Sequence, residues 1–186
     1  FDRFDDIIKP QNKLIGYVGT SAAKDGLDTV LNGFALALKK DAELKLRLIG
    51  PKPTFFDYEK VISDLGIQQQ VELTGSVSYE EVPALLLQCD TYIMNRDDSL
   101  FAQYGYPTKL GEYFACKRPV LMSDGPGFAE DFTDKVEAIK YSVNKPTSLA
   151  NAIGWRYQNL EQANKIANTG YAYAKKHFSS EVVTSI

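Results

Sequence analysis

Two short segments of this sequence combine residue types suited to a phosphorylated ligand. The first is Gly19-Thr20-Ser21-Ala22-Ala23-Lys24-Asp25-Gly26, between a compact apolar run and a helical pattern. Small residues let the backbone approach a ligand closely, and the start of the helix that follows favours anions. Lys24 adds a full positive charge, and a charge-assisted hydrogen bond from it contributes roughly 1.5–3 kcal/mol. A solvated βα loop with a surface lysine would read the same way, and both readings stand at this level. A Walker loop is excluded, because Gly-x-x-x-x-Gly-Lys-[Ser/Thr] does not occur.

The second segment is Gly105-Tyr106-Pro107-Thr108-Lys109-Leu110-Gly111-Glu112-Tyr113. Pro107 suits the first position of a helix, where its missing N–H loses nothing. The unbonded N–H groups of Thr108 and Lys109 would then form a phosphate site. Glu112 follows about one turn later, and a carboxylate there can accept two hydroxyl hydrogen bonds, as from a ribose. The competing reading is a well-capped helix whose Glu112 pairs with Lys109 or favours the helix dipole.

The elements that position these segments follow from periodicity. Apolar runs at 14–19, 44–49, 71–74, 91–94, 119–122 and 138–141 read as strands. Helical patterns lie between them, at 27–40, 58–65 (closed by Gly66), 78–88 and 107–115. Ser78 and Glu81 have the spacing of a capping box, and 146–177 reads as helix with a break at Gly154 or Gly170. Strands alternating with helices predict an α/β fold, a doubly wound parallel sheet of about six strands with helices on both faces. The order 3-2-1-4-5-6 places a switch point between strands 1 and 4, where ligands bind at the strands' carboxyl ends. Both segments fall there.

Composition bounds the rest. A net charge of −3 argues against a nucleic-acid partner. Cys89 and Cys116 without a Cys-x-x-Cys pair, together with the single His177, argue against zinc and against a disulfide framework, and fit a cytoplasmic protein. His177 suits a helix C-terminus. Asp97-Asp98 reads as a loop cap, and Gly125-Pro126-Gly127-Phe128 as a turn. No stretch approaches the ~18 apolar residues of a transmembrane segment, and the N-terminus does not read as a signal peptide.

Taken in order, Tyr17-Val18-Gly19-Thr20, Lys24-Asp25-Gly26-Leu27-Asp28-Thr29, Leu48-Ile49-Gly50, residues 71–77 and the run from Pro107 to Leu121 resemble the motif series of family 4 glycosyltransferases, in their C-terminal domain. The resemblance implies a Rossmann-like GT-B domain over 13–186, with 1–12 the end of an interdomain linker and an N-terminal acceptor domain as missing partner. It implies a nucleoside-diphosphate sugar of UDP or GDP type as substrate, no cofactor, no metal, and retaining transfer to a glycan or lipid-linked acceptor. A lipid-linked acceptor would place the enzyme at the inner membrane face.

By the same resemblance Lys24 contacts the diphosphate, Glu112 holds the ribose, and both count as catalytic. Backbone around Thr108 and Lys109 holds the distal phosphate, and the base lies near Gly50, Pro51, Thr74, Gly75 and Val77. Gly19, Thr20, Gly105, Tyr106 and Pro107 complete the donor site. Two positions depart from the family pattern: Tyr104 stands where a second acid is usual, eight residues before Glu112, and Thr20 where arginine is frequent. Tyrosine can hydrogen-bond a sugar but is uncharged at neutral pH. The expectation is that this chain alone binds nucleotide weakly and transfers nothing. The alternatives are a non-catalytic nucleotide-binding or scaffolding module of the same fold, and a sugar-nucleotide 2-epimerase-like enzyme.

Overall fold

The computed structural model describes residues 12–19, 25–54, 56–105 and 107–178. Its elements, in chain order, are β1 (Leu14–Val18), α1 (Leu27–Leu38), β2 (Lys45–Ile49), α2 (Tyr58–Asp64), β3 (Val71–Gly75), α3 (Val82–Leu87) and β4 (Thr91–Met94). There follow α4 (Leu100–Gln103), α5 (Lys109–Ala115), β5 (Val120–Ser123), a 3-10 turn at Phe128–Asp131, β6 (Ile139–Tyr141), α6 (Pro146–Gln158) and α7 (Leu160–Phe178). The six strands form one parallel sheet in the order β3-β2-β1-β4-β5-β6, as the alternation of elements predicts.

β4 and β5 are buried on both faces, which explains why they read as unbroken apolar runs rather than alternating ones. Ile93, Leu121 and Ile139 pack under α1, α2 and α6 with Val30, Phe34, Leu149 and Ile153. Tyr92, Met94, Val120 and Met122 point the other way, toward Leu86 of α3, Tyr113 and Phe114 of α5 and Ala174 of α7. β3 is the edge strand beside β2, and Glu72 and Leu73 on it are exposed.

Three local expectations change. Glu81 does accept from the Ser78 N–H (2.9 Å) and hydroxyl (2.8 Å), but α3 begins at Val82 with Glu81 in the cap position. The pair therefore closes the turn ahead of the helix. Pro107 is not the first residue of α5: Thr108 is the cap and the helix has seven residues, from Lys109. Pro107 instead offers the carbonyl that accepts the Leu110 N–H (3.0 Å), one turn before the helix proper. The long C-terminal helix breaks at Asn159 (φ −127°, ψ 54°), at neither glycine. Gly154 lies within α6, and Gly170 lies where α7 crosses Phe114, so close that a Cβ there would stand 2.7 Å from the ring. Residues 1–11, in the expected linker, fall outside the described ones.

Candidate functional site

Each expected ligand segment leaves the carboxyl edge of the sheet at the β1/β4 switch point. β1 is followed directly by Gly19, whose N–H donates to the Ile49 carbonyl (3.0 Å). The end of β2 presses on it: a Cβ at Gly50, where φ is +138°, would stand 2.1 Å from the Gly19 carbonyl oxygen. Only glycine allows that approach. The Thr74 hydroxyl donates toward the carbonyls of Gly75 (3.0 Å) and Leu48 (3.4 Å), and its oxygen faces the Gly50 N–H (3.4 Å). Gly50, Thr74 and Gly75 thus brace one another, while Pro51 is exposed and Val77 packs against the apolar layer under α3. Thr20, Lys24 and Tyr106 lie outside the described residues.

α5 is fixed to β1 through Tyr113. Its phenol oxygen accepts the Val18 N–H (2.7 Å), and its ring stacks on Tyr92 with centroids 4.7 Å apart. That anchor holds α5 at the end of β1, and Glu112 on α5 is half-buried. Burial pushes the Glu112 carboxyl above its usual pKa, and Tyr79 and the positive charge of Lys109 partly offset the shift. Glu112 lines a pocket of about 200 Å³ together with Ala115 of α5, Cys116 that caps it, and Tyr79, Val82, Pro83 and Leu86 across from it. A carboxylate at the edge of an apolar pocket suits a ligand with a flat apolar part and neighbouring hydroxyls. An open groove of about 760 Å³ between α1, α2 and the start of α6 contains none of these residues.

Lys109 lies one turn before Glu112 on α5. Its Nζ lies 4.5 Å above the Tyr17 ring and 3.6 Å from Asp25 Oδ1. Tyr104, in contrast, is 87% exposed on the rim. Thr108 is exposed, Pro107 buried, and the Gly105 carbonyl is engaged within the protein.

Sequence reading missed the residues that hold both loops in place. Asn95 and Arg96 follow β4 directly and are buried. The Asn95 amide donates to the carbonyls of Asp25 (2.8 Å) and Gly26 (3.1 Å), and its oxygen accepts from the Tyr141 hydroxyl (2.6 Å). Arg96 donates through Nη1 to the carbonyls of Ala102 (3.1 Å) and Gly105 (2.7 Å), on the segment that carries Tyr104. Ser123 of β5 fixes Arg96 itself, accepting its N–H (2.8 Å) and donating to its carbonyl (3.0 Å). The available signal was a polar pair at the carboxyl end of an otherwise apolar strand next to the switch point.

The remaining candidates are structural. Asp97 accepts from the Ser99 N–H (3.1 Å) and hydroxyl at the start of α4, the loop cap expected there. His177 stacks on Tyr173 at the end of α7 (4.3 Å). Among the described residues no group of three or more His, Cys, Asp or Glu could hold a metal ion. No described helix is long and apolar enough to cross a membrane.

Fold and site together define a doubly wound α/β domain with Glu112, Lys109 and a small apolar pocket at the carboxyl side of its sheet. The chain belongs to the group 1 glycosyl transferases, whose family model matches residues 1–173. Among curated proteins it is similar to alpha-D-kanosaminyltransferase of Streptomyces kanamyceticus, 22% identical over 140 residues, covering 75% of this chain and 35% of that protein. Among solved structures, Anabaena HepE in complex with UDP superposes with a TM-score of 0.79 at 18% identity, over 94% of this chain and 49% of that one. The C-terminal domain of a group 1 family protein, LpcC, from Francisella tularensis gives 0.76 at 16% identity, over 90% of this chain and 86% of that one. These structural likenesses establish the fold. The chain spans about a third of the curated relative and about half of HepE.

Proposed function

We propose that this chain is the donor-binding, C-terminal domain of a GT-B glycosyltransferase of the family 4 type, using a UDP-sugar. The observation that carries the reading is Glu112, half-buried at the edge of an apolar pocket on the helix that Tyr113 fixes to the end of β1. HepE was solved with UDP, and the LpcC domain matches this chain over most of its own length, which supports both the nucleotide and the domain assignment. In this reading Glu112 accepts the ribose hydroxyls and the base enters the pocket against Tyr79 and Pro83. Lys24 and the backbone N–H groups of Thr108 and Lys109 meet the diphosphate. Positive charge placed in advance where the leaving diphosphate develops negative charge lowers the barrier to transfer. The sugar would go, with retention, to a glycan or lipid-linked acceptor held by an N-terminal domain, in the cytoplasm or at the inner membrane face.

Calorimetric titration with UDP, GDP and ADP tests this. The expected result is binding of UDP, weakened about tenfold or more by Lys24→Ala and by Glu112→Ala. Binding of none of the three, in this chain and in the full-length parent, would sink the reading. One observation favours a second reading, a non-catalytic nucleotide-binding module: the exposed, uncharged Tyr104 at the position of the family's second acid. UDP binding by the parent protein with no sugar transfer to any acceptor would select it.

A further inference from the structure

We propose that the Lys109 ammonium, steered by Asp25 and the Tyr17 ring, is itself a diphosphate-binding group. This rests on the donor-binding reading and goes beyond it, since that reading uses only the backbone of Lys109. The side chain does not extend into solvent from the start of α5. It runs back to the end of β1, where Nζ sits 4.5 Å above the Tyr17 ring, and it is only 13% exposed. A Cβ on Gly19 would stand 3.1 Å from that nitrogen, so the ammonium lies directly against the backbone from which the Lys24 loop departs. The bareness of Gly19 is what admits it.

Lysine is almost never buried without a partner. One partner here is Asp25, whose side chain is 7% exposed and whose Oδ1 is 3.6 Å from Nζ. That separation exceeds the ~2.7–2.9 Å of a charge-assisted hydrogen bond, so Asp25 acts on the ammonium through its field. Asp25 is in turn fixed, because its carbonyl accepts from Asn95 (2.8 Å). A tie between α5 and β1 does not require the lysine: Tyr113, bonded to the Val18 N–H, already makes one. What the arrangement adds is a cation held in place, shielded from water, at the carboxyl edge of the sheet. Such a preorganised charge stabilises an anion more than a mobile surface lysine does.

The test compares nucleotide with nucleoside. UDP and uridine are titrated into wild type, Lys109→Met and Lys109→Arg, with GDP and guanosine as a second pair and far-UV circular dichroism to verify folding. Lys109→Met is expected to weaken the diphosphate about 10- to 100-fold while changing the nucleoside less than about twofold. Lys109→Arg, which keeps the charge, should recover most of the loss. Equal weakening of diphosphate and nucleoside by Lys109→Met would assign the lysine to the fold and overturn the proposal. So would unchanged diphosphate affinity. Wild type that binds neither diphosphate would overturn the donor reading and this proposal together; wild-type binding with an indifferent Lys109→Met would remove the lysine's role alone.

Discussion

Burial raises the Glu112 pKa, whereas holding a ribose diol requires the ionised carboxylate. Both effects are measurable. A carboxyl whose folded pKa exceeds its unfolded one takes up protons on folding between the two values, so its ionisation lowers stability as pH rises through that window. Glu112→Gln, which removes the buried charge, is therefore expected to raise the melting temperature at pH 7, by about 1–2 °C. The same change should weaken UDP about tenfold. In wild type, UDP affinity should fall as the pH is lowered through the raised Glu112 pKa, starting at a higher pH than an ordinary carboxyl would give. In Glu112→Gln the carboxyl's part of that dependence should vanish, leaving only that of UDP's own terminal phosphate, and calorimetry from pH 7 down to about 4.5 would show the difference. Glu112 was legible because its distance from Pro107 is a local property of one turn and the helix it leads into. Tyr79, Asp25 and Tyr17 were not, because each reaches the site through a tertiary contact between distant segments.

At the scale of elements, the two glycines expected to break the last helix give opposite predictions. Gly170 faces Phe114 and the Glu137 carbonyl, and a Cβ would stand within 2.8 Å of both. Gly170→Ala should overpack this contact and cost about 1–3 kcal/mol. Nothing lies within 4 Å of a Cβ at Gly154, so Gly154→Ala should stabilise the mid-helix position by about 0.5–1 kcal/mol. Urea denaturation of the two variants would separate them by the sign of the shift. The glycine signal misled because glycine also serves close packing between helices, and the sequence does not mark which use applies. The break itself falls at Asn159, whose amide donates to the Trp155 carbonyl (2.8 Å) and so competes with the helix.

At the scale of the molecule, the strand order was legible because a parallel sheet constrains its own connections: alternating strands and helices leave few right-handed topologies. Strand identity came from apolar runs, and the central strands are buried on both faces, which makes those runs hard to mistake. α4 went unread because it is a four-residue turn without periodicity. If the donor reading holds, the purified chain should bind UDP yet release no sugar onto any acceptor, because the acceptor's own binding groups would come from a second domain. Transfer assays on this chain and on its full-length parent, run side by side, would show activity only in the parent.

The pairing of Asn95 with Arg96 bears on how such a domain changes its substrate. Asp25 and Gly26, ahead of α1, hang from Asn95, and the segment bearing Tyr104 hangs from Arg96. The two anchors are adjacent residues, so their separation is one peptide unit, about 3.8 Å between Cα atoms, and cannot stretch. If the donor reading holds, residues 97–104 could then be rewritten for a new sugar without moving the end of the segment proposed to meet the phosphates. Tolerance to exchange in that tip, and intolerance at its root, would be the mark of a molecule that keeps its handle while changing its blade.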